Sequence, residues 1–284
     1  MSLILQGRGA PLTIEPNDPA RIIGERINPS GRTKFRQALL DANWQYVTHE
    51  ALLQVEAGAD VLDVNVGARG IDEVVVLPEA VQRVAEAVEV PLSIDTRNPA
   101  ALEAALKACP GRPLVNSIGG EVKILKENLP IVAHFGVPVI ALCMGQEGIP
   151  KTTEERLKIA HLVLDAAVRA GVAEKDVILD PLVMTVGADD QAARLALETT
   201  RRLRQEVPRS SITGGTSNVS FGMPARSILN AHLLCAAITL GMNLPITDPT
   251  DPQLRFAQHC GNIFLGRDQK SRAYMRYYRK VYPE

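Results

Sequence analysis

The sequence contains few cysteines, and none of them forms a close pair. Cys109, Cys143, Cys235 and Cys260 lie far apart, and no C-x-x-C element is present. This spacing argues against a zinc ribbon and against a disulfide framework. We therefore expect four reduced and mostly buried thiols, because free cysteine is among the most buried residue types.

The chain also lacks a charge excess and long apolar runs. Its formal net charge is -1, whereas a non-specific nucleic-acid binder carries a strong basic excess. No apolar run approaches the roughly 20 residues that span a bilayer. The first residues show no charged-then-apolar signal segment. These absences predict a soluble cytoplasmic protein that binds neither nucleic acid nor membrane.

Several catalytic patterns are missing as well. There is no G-x-S-x-G nucleophile motif, no lysine at the end of a predicted strand for Schiff-base chemistry, and no G-x-G-x-x-G turn after the first strand. The histidines are scattered over predicted helices. We interpret all five as structural or surface residues, namely His49, His134, His161, His232 and His259.

Small aliphatic residues dominate what is present. Hydrophobic residues make up 46% of the 284 positions, while aromatic residues make up only 4%. Ala, Val, Leu and Ile must therefore carry the packing, as is typical where helices cover a parallel sheet. An α/β barrel often reaches this length as one domain.

Strand-like and helix-like segments alternate along the chain without a linker. The predicted strands are 21–25, 59–66, 90–96, 113–117, 137–144, 176–180, 211–218 and 242–248. Helices are predicted at 41–58, 74–88, from 98 onward, 121–135, 152–171, 190–206, 225–240 and 252–263. Asn98-Pro99 is a helix-start pattern, and Thr152 with Glu155 forms a capping box.

Eight β-then-α units are the number that closes a (β/α)8 TIM barrel. We therefore predict one barrel domain over residues 1–284, with an open doubly wound sheet as the alternative. Pro245 lies inside the last predicted strand and argues against a fully paired central position there.

Polar residues recur near the ends of the predicted strands. Because side chains alternate across a strand, Leu62, Val64 and Val66 should face the helices, while Asp63 and Asn65 face the barrel interior. The same alternation turns three further residues inward, and an amide closes the seventh unit: Asp95, Asn116, Asp180 and Asn218. Inward acids and amides at the carboxyl ends of several strands are typical of an active site in this fold.

Two kinds of ligand suit such a set. Asp and Asn oxygens can bind a hard cation. A carboxylate can also accept two parallel N–H bonds from a flat heterocycle, and the 2-amino/N3–H edge of a pterin is such a group. A buried carboxylate without a partner is costly, so each implies a bound group or a polar neighbour. These residues alone leave the choice open.

Six motifs, taken together, resemble the pterin-binding methyltransferase family. They are 23–28 (IGERIN), 62–67 (LDVNVG), 94–96 (IDT), 115–117 (VNS), 179–182 (LDPL) and 217–222 (SNVSFG). The chain is similar to methyltetrahydrofolate:corrinoid/iron–sulfur protein methyltransferases and to the folate-binding module of cobalamin-dependent methionine synthase. The resemblance covers nearly the whole chain and implies a TIM barrel of the dihydropteroate synthase-like type.

The resemblance implies roles for eight residues. Asp95, Asn116 and Asp180 match positions that hold the pterin ring, and Asn218 matches the amide near N5. Asp63 and Asn65 match a pair lining the same pocket, while Ser217 and Arg226 match positions near the pterin and its tail. We expect Asn218 to be catalytic, because it would stabilise a proton at N5 while the C–N bond breaks.

The implied reaction moves the N5-methyl group between methyltetrahydrofolate and the cobalt of a corrinoid (cobalamin). No D-x-H-x-x-G corrinoid-binding motif occurs, so the corrinoid should be carried by a partner protein. The resemblance also implies a homodimer, with folate as the substrate and no metal bound by this chain.

Three alternatives remain at this stage. Dihydropteroate synthases share the fold, but their N-V-T-P-D-S-F opening is absent, and 216–218 reads TSN where they have a lysine-containing motif. A non-catalytic pterin-binding module and a metal-dependent barrel lyase or hydrolase are the others.

Two segments have no assigned role. The basic loop 28–33 departs from the family pattern and is expected at the barrel mouth, near the folate tail or the partner. The basic stretch 267–280 reads as a solvated terminal helix or tail, with an interface role as the alternative.

Overall fold

Eight short parallel strands form the centre of the computed structural model, which describes residues 2–283. Two further strands precede them and form an antiparallel hairpin. In chain order the strands are β1 Leu3–Leu5, β2 Leu12–Ile14, β3 Ile23–Ile27, β4 Val61–Val64, β5 Leu92–Asp95, β6 Leu114–Ile118, β7 Val139–Leu142, β8 Val177–Asp180, β9 Thr213–Gly215 and β10 Leu244–Thr247.

Helices follow the strands and cover the outside of the sheet. They are α1 Thr33–Leu40, α2 Trp44–Glu56, α3 Glu73–Ala87, α4 Pro99–Ala108, α5 Val122–Phe135, α6 Thr153–Arg169, α7 Ala192–Glu206, α8 Arg226–Thr239, α9 Pro252–Phe264 and α10 Arg272–Val281. Short 3-10 segments occupy Glu174–Asp176, Thr216–Ser220 and Gln269–Ser271.

The strand order is that of a barrel. Hydrogen-bonded neighbours run β8-β7-β6-β5-β4-β3-β10-β9, and every pair is parallel. The two ends of this series meet, because Leu179 N donates to Ser211 O at 2.9 Å and Leu179 bridges to Ile212. The predicted (β/α)8 barrel is confirmed, and the alternative of an open doubly wound sheet is wrong.

Two predicted helix starts are confirmed in detail. Asn98 Oδ1 accepts a hydrogen bond from Ala100 N at 3.0 Å, and Pro99 occupies the first turn of α4. Thr152 Oγ1 accepts from Glu155 N at 3.3 Å and donates to Glu155 Oε2 at 2.9 Å. Each cap satisfies an N–H group that has no partner within the helix.

The alternation of side chains across the barrel strands follows the expected pattern. Leu62, Val64 and Val66 are buried in the layer between the strands and the helices, together with Leu92, Ile94, Val115 and Leu179. These residues exclude water from the outer face of each strand. Within residues 2–283, no helix combines the length and apolar character needed to cross a membrane.

The hairpin β1–β2, which sequence analysis did not find, fills the amino-terminal end of the barrel. Leu3, Leu5 and Ile14 pack against inward-facing residues near the starts of the barrel strands: Ile23, Val61, Leu114, Ile140, Ile178 and Leu244. The hairpin is anchored where Gln6 N donates to Arg112 O at 3.0 Å and Arg112 N donates to Gln6 O at 2.8 Å. Gly111 is required there, because a Cβ at this position would lie 2.3 Å from Gln6 O.

The prediction that Pro245 prevents full pairing of the last strand is wrong. Pro245 lies in β10, which pairs with β9 on one side and with β3 on the other. The proline is tolerated because pairing with β3 begins at Ile246, while Leu244 N supplies the bond to Ile212 O at 3.1 Å on the β9 side. The missing N–H therefore falls at the start of a strand, where a proline costs little.

The seventh strand is shorter than predicted. It ends at Gly215, and residues Thr216–Ser220 form a 3-10 turn, so Asn218 lies on a turn rather than at a strand end. Hydroxyl groups favour this change, because Ser220 Oγ donates to Ser217 O at 3.3 Å. Short polar side chains that bond nearby backbone compete with strand pairing.

The cysteines are less buried than expected. All four are free, but only Cys143 is fully buried; the others are partly exposed. The reason is their position on the outer layer: Cys235 lies in α8, Cys260 lies in α9, and Cys109 caps the end of α4.

Candidate active site

Three neighbouring strands bring polar side chains together at the carboxyl end of the barrel. The register sets Asp63 beside Ser93 and Asp95 beside Asn116. Asp63 Oδ1 accepts from Ser93 Oγ at 2.7 Å and from Asn116 Nδ2 at 3.0 Å. Both donors come from strands other than β4, so the carboxylate joins β4, β5 and β6 at one point.

Asp95 is held from the other side of this group. Asn65, one residue beyond β4, donates from Nδ2 to Asp95 Oδ2 at 2.7 Å. Its own Oδ1 accepts from Gly67 N at 2.8 Å, which fixes the orientation of the amide. Of the four side chains, Asp63 is buried, whereas Asp95, Asn65 and Asn116 are partly exposed toward the mouth. We call these four residues the acid–amide network.

Asp180 ends β8 and is oriented by a hydrogen-bonded turn. Its Oδ1 accepts from Leu182 N at 2.7 Å, and Leu182 has a positive φ of 65°. Arg156, which is 1% exposed, donates from Nη1 to Pro181 O at 2.6 Å and to Leu182 O at 2.7 Å. A buried arginine thus holds the carbonyl groups of the turn that carries Asp180.

The turn after β9 carries Ser217 and Asn218. Ser217 Oγ donates to Glu25 Oε1. Asn218 is exposed, and its Nδ2 lies 3.0 Å from the point that a Cβ on Gly215 would occupy. Within residues 2–283, no hydrogen bond joins the Asn218 side chain to another site residue. The amide is therefore available to a ligand at the mouth.

Glu25 is a site residue that sequence analysis missed, although it lies within the 23–28 motif. Ile23 packs in the barrel interior, and Glu25, two residues later in β3, faces the same way. This alternation is the signal that could have found it. The carboxyl is partly buried, and the charges of Asp63 and Asp248 act on it.

The carboxyl groups at the mouth of the barrel all have raised pKa values. Burial raises the pKa of Glu25 to about 7, and it raises the pKa of Asp63 and of Asp180 to about 6. Burial, with the neighbouring charge of Asp63, also raises the pKa of Asp95 well above its usual range. Such clustered shifts are typical of functional sites, because a cavity that binds a polar ligand keeps charged groups out of water.

Arg226 supports the site from outside. It is exposed, its Nε donates to Ser220 Oγ at 2.9 Å, and its Nη2 donates to Ser217 O at 3.0 Å. Its guanidinium lies 4.7 Å from the centre of the Phe221 ring. The structure therefore places Arg226 against the turn after β9 and not within the acid–amide network.

The basic loop 28–33 also reaches the mouth, but its main charge is already paired. Arg32 Nη2 lies 2.9 Å from Glu50 Oε2, and Arg26 Nε lies 3.2 Å from the same oxygen. Arg26 Nη1 also bonds Asp248 Oδ2 at 2.8 Å. The Arg32 pair fixes the loop against α2, and Arg26 of β3 links the same Glu50 to the end of β10.

The basic C-terminal stretch forms α10, in agreement with the predicted terminal helix. Tyr277 packs 5.0 Å from the Phe256 ring and 5.1 Å from the His259 ring of α9, measured between ring centres. All five histidines lie on helices, and none belongs to the mouth group in the described part of the chain. Nor does any group of three or more His, Cys, Asp or Glu side chains among residues 2–283 have the arrangement of a metal site.

Taken together, the mouth presents carboxyl and amide oxygens on β4, β5, β6 and β8, with an unpaired amide on the turn after β9. Such oxygens can accept several hydrogen bonds from a flat ligand that is rich in N–H groups. A titratable carboxyl beside Ser217 adds a group that can hold a proton near neutral pH.

Comparisons with known proteins agree with this arrangement. The family described as "Pterin binding enzyme" matches residues 24–248. A methylcorrinoid:tetrahydrofolate methyltransferase of Eubacterium limosum is 29% identical over 91% of this chain and 96% of its own length. Methionine synthase of Mycobacterium tuberculosis is 30% identical over 86% of this chain, which spans only 22% of that larger protein.

Solved structures support the fold. Dihydropteroate synthase of Yersinia pestis superposes with a TM-score of 0.71 at 19% identity, covering 94% of this chain and 100% of the other. The enzyme of Xanthomonas albilineans, in complex with 7,8-dihydropteroate, gives a TM-score of 0.70 at 21% identity, covering 94% and 99%. At these identities the likeness concerns the barrel alone.

Proposed function

Because the chain belongs to the pterin binding enzyme family, we propose that it is a methyltransferase that moves the N5-methyl group between methyltetrahydrofolate and a corrinoid on a partner protein. The observation that carries this proposal is the acid–amide network, in which Asp63, Asn65, Asp95 and Asn116 form one hydrogen-bonded group at the barrel mouth. The full-length match to a methylcorrinoid:tetrahydrofolate methyltransferase supports the choice of reaction.

In this proposal the network and Asp180 hold the pterin ring. Asp95 and Asp180 each keep a carboxylate oxygen that accepts no hydrogen bond among the described residues, and each can accept from an N–H group of the ring. Asn65 keeps the Asp95 carboxyl in place, Leu182 N keeps that of Asp180, and Asp63 anchors Asn116. Positioning of this kind can lower a barrier by several kcal/mol.

In this proposal Asn218 hydrogen-bonds at N5 of methyltetrahydrofolate. The nitrogen that loses the methyl group is a poor leaving group unless it gains a proton while the C–N bond breaks. The free amide of Asn218 can hydrogen-bond at N5 and stabilise that proton, because its side chain is exposed at the mouth. Ser217 and Arg226 hold the turn that presents it.

The partner's corrinoid would supply the electron pair that takes up the methyl carbon, or the methyl carbon itself in the reverse direction. The name of the Eubacterium limosum relative includes a methylcorrinoid, and the absence of a D-x-H-x-x-G motif here favours a corrinoid carried by another protein. We extend the proposal to a homodimer in the cytoplasm, which the resemblance of the motifs favours.

Two measurements test the proposal. Calorimetry with methyltetrahydrofolate should show binding, and addition of cob(I)alamin should then convert one equivalent of methyltetrahydrofolate to tetrahydrofolate in a single turnover. Binding without methyl loss would indicate a non-catalytic pterin module. Formation of dihydropteroate from a dihydropterin diphosphate and 4-aminobenzoate would instead indicate a synthase, and no binding of any reduced folate would overturn the proposal.

A further inference from the structure

Glu25 connects the first barrel strand to the turn that carries Asn218. It lies in β3 and accepts a hydrogen bond from Ser217 Oγ, across 192 positions of the sequence. Ser217 directly precedes Asn218 in the 3-10 turn after β9. Four carboxyls have raised pKa values, and among them Glu25 is the one that is hydrogen-bonded to the turn after β9. The other three accept hydrogen bonds from Ser93 and Asn116, from Asn65 and from Leu182.

The surroundings of Glu25 favour exchange of a proton near neutral pH. Burial has the largest effect on its pKa, and the charges of Asp63 from β4 and Asp248 from the end of β10 act in the same direction. The hydrogen bond from Ser217 and the charge of Arg226 from α8 oppose them, and the pKa is raised to about 7. Asn218 has no proton to exchange in this range, since an amide side chain does not titrate.

The reaction itself needs such a group. When the methyl carbon leaves N5, the electron pair of the C–N bond stays on nitrogen, and N5 must acquire a proton to become the neutral amine of tetrahydrofolate. In the reverse direction the N5–H proton must be removed while nitrogen bonds the methyl carbon. A site built from fixed amides can stabilise this proton but cannot supply it.

We propose that Glu25 holds this proton and moves it to and from N5 through the Ser217 hydroxyl, an inference that rests on the proposed function. When Glu25 is protonated the direction of the bond reverses, so that the carboxyl donates to Ser217 Oγ and the hydroxyl donates to N5. Toward the corrinoid, the carboxyl proton passes to Ser217 Oγ while the hydroxyl proton passes to N5, which leaves a Glu25 carboxylate that accepts from Ser217 as in the structure. Toward tetrahydrofolate, the same two protons move back. Glu25 acts through Ser217, so it is a proton-holding residue that does not itself touch the pterin.

The test is the pH profile of single-turnover methyl transfer from methyltetrahydrofolate to cob(I)alamin. The wild-type rate should fall as pH rises through about 7, because the protonated carboxyl is the reactive form. Glu25→Gln keeps the size of the side chain and an acceptor for Ser217. It should lower the rate at pH 6 by at least about tenfold and remove the pH dependence, while methyltetrahydrofolate affinity stays within about threefold.

Two further variants separate this role from a structural one. Ser217→Ala should slow transfer while the titration of Glu25 persists, because the route is cut but the carboxyl remains. Glu89→Gln, at an exposed position distant from the mouth, should match the wild type at every pH. Calorimetry in buffers of different ionisation enthalpy should show that proton exchange on folate binding changes in Glu25→Gln.

The proposal would be overturned if the single-turnover rate of Glu25→Gln kept the pH dependence of the wild type. If Asp63→Asn removed that pH dependence instead, the proton would be assigned to Asp63. These results differ from failure of the proposed function, in which the wild-type protein itself transfers no methyl group.

Discussion

The Nδ2 of Asn65 donates a hydrogen bond to Oδ2 of Asp95 at 2.7 Å, while its Oδ1 is occupied by Gly67 N. The amide therefore has one orientation, and it fixes the Asp95 carboxyl before any ligand arrives. A carboxyl that is already oriented loses little freedom when it binds. The same relationship makes Asp95 the most direct test of the binding site.

We expect Asp95→Asn to weaken binding of methyltetrahydrofolate by at least about tenfold, because the substitution removes a charge-assisted acceptor and introduces a donor. Calorimetry measures the change. Asp165→Asn, an exposed position on α6, is the matched control and should bind as the wild type does. Affinity within twofold of the wild type would show that Asp95 does not contact the pterin.

Asn218→Ala should separate binding from chemistry. The variant should bind methyltetrahydrofolate with an affinity within a few-fold of the wild type, because the ring is held by other residues. Transfer to cob(I)alamin should slow by at least tenfold, within the roughly 10²–10⁴-fold range of acid–base assistance. A single-turnover rate equal to that of the wild type would remove Asn218 from the mechanism.

The raised pKa values predict how stability depends on pH. A carboxyl that binds its proton more tightly when folded stabilises the protein at low pH and loses that effect as pH rises. For Asp180, whose pKa is raised to about 6 by burial, the free energy of unfolding should fall between about pH 4 and pH 7. Asp180→Asn should recover on the order of 1–3 kcal/mol at pH 8.

Urea unfolding at pH 5 and pH 8 measures this effect. Asp180→Asn should gain more stability over the wild type at pH 8 than at pH 5, because only part of the fall has occurred at pH 5, while Asp165→Asn should follow the wild type at both. A gain of equal size at both pH values would mean that the effect does not come from ionisation of Asp180.

Arg156 provides a stability prediction for the turn after β8. Arg156→Leu would leave the Pro181 and Leu182 carbonyls without their donors, at a cost of roughly 2–4 kcal/mol in the free energy of unfolding. Arg169→Leu, at an exposed position of the same helix, should change it by less than about 0.5 kcal/mol. Equal effects of the two substitutions would contradict the assigned role of Arg156.

Much of the barrel could be predicted because its strands obey a simple rule. Each strand lies between an apolar helix layer and the interior, so period-2 alternation placed Leu62 and Val64 outward and Asp63 inward. Helix caps such as Asn98 were readable because they depend on neighbours in sequence. The hairpin β1–β2 was not, since two strands of three residues each carry too little periodicity.

The site was predicted less completely, for reasons of tertiary structure. The assignment of Asn218 to the seventh strand was wrong because hydroxyl bonds fold Thr216–Ser220 into a turn. The direction of the Arg226 side chain depends on Phe221 and Ser220, which become its neighbours only after the turn has formed. The roles of the site residues, the single domain over 1–284, the homodimer and the cytoplasmic location stay predictions.

The β1–β2 hairpin has a kinetic consequence. Leu3, Leu5 and Ile14 close the amino-terminal end of the barrel, so a small molecule enters and leaves at the carboxyl end. In the proposed reaction the protein acceptor must bind over that same opening. The folate substrate would then have to bind before the protein acceptor, and the folate product would leave after it. Steady-state kinetics with the protein acceptor should therefore follow an ordered sequential scheme.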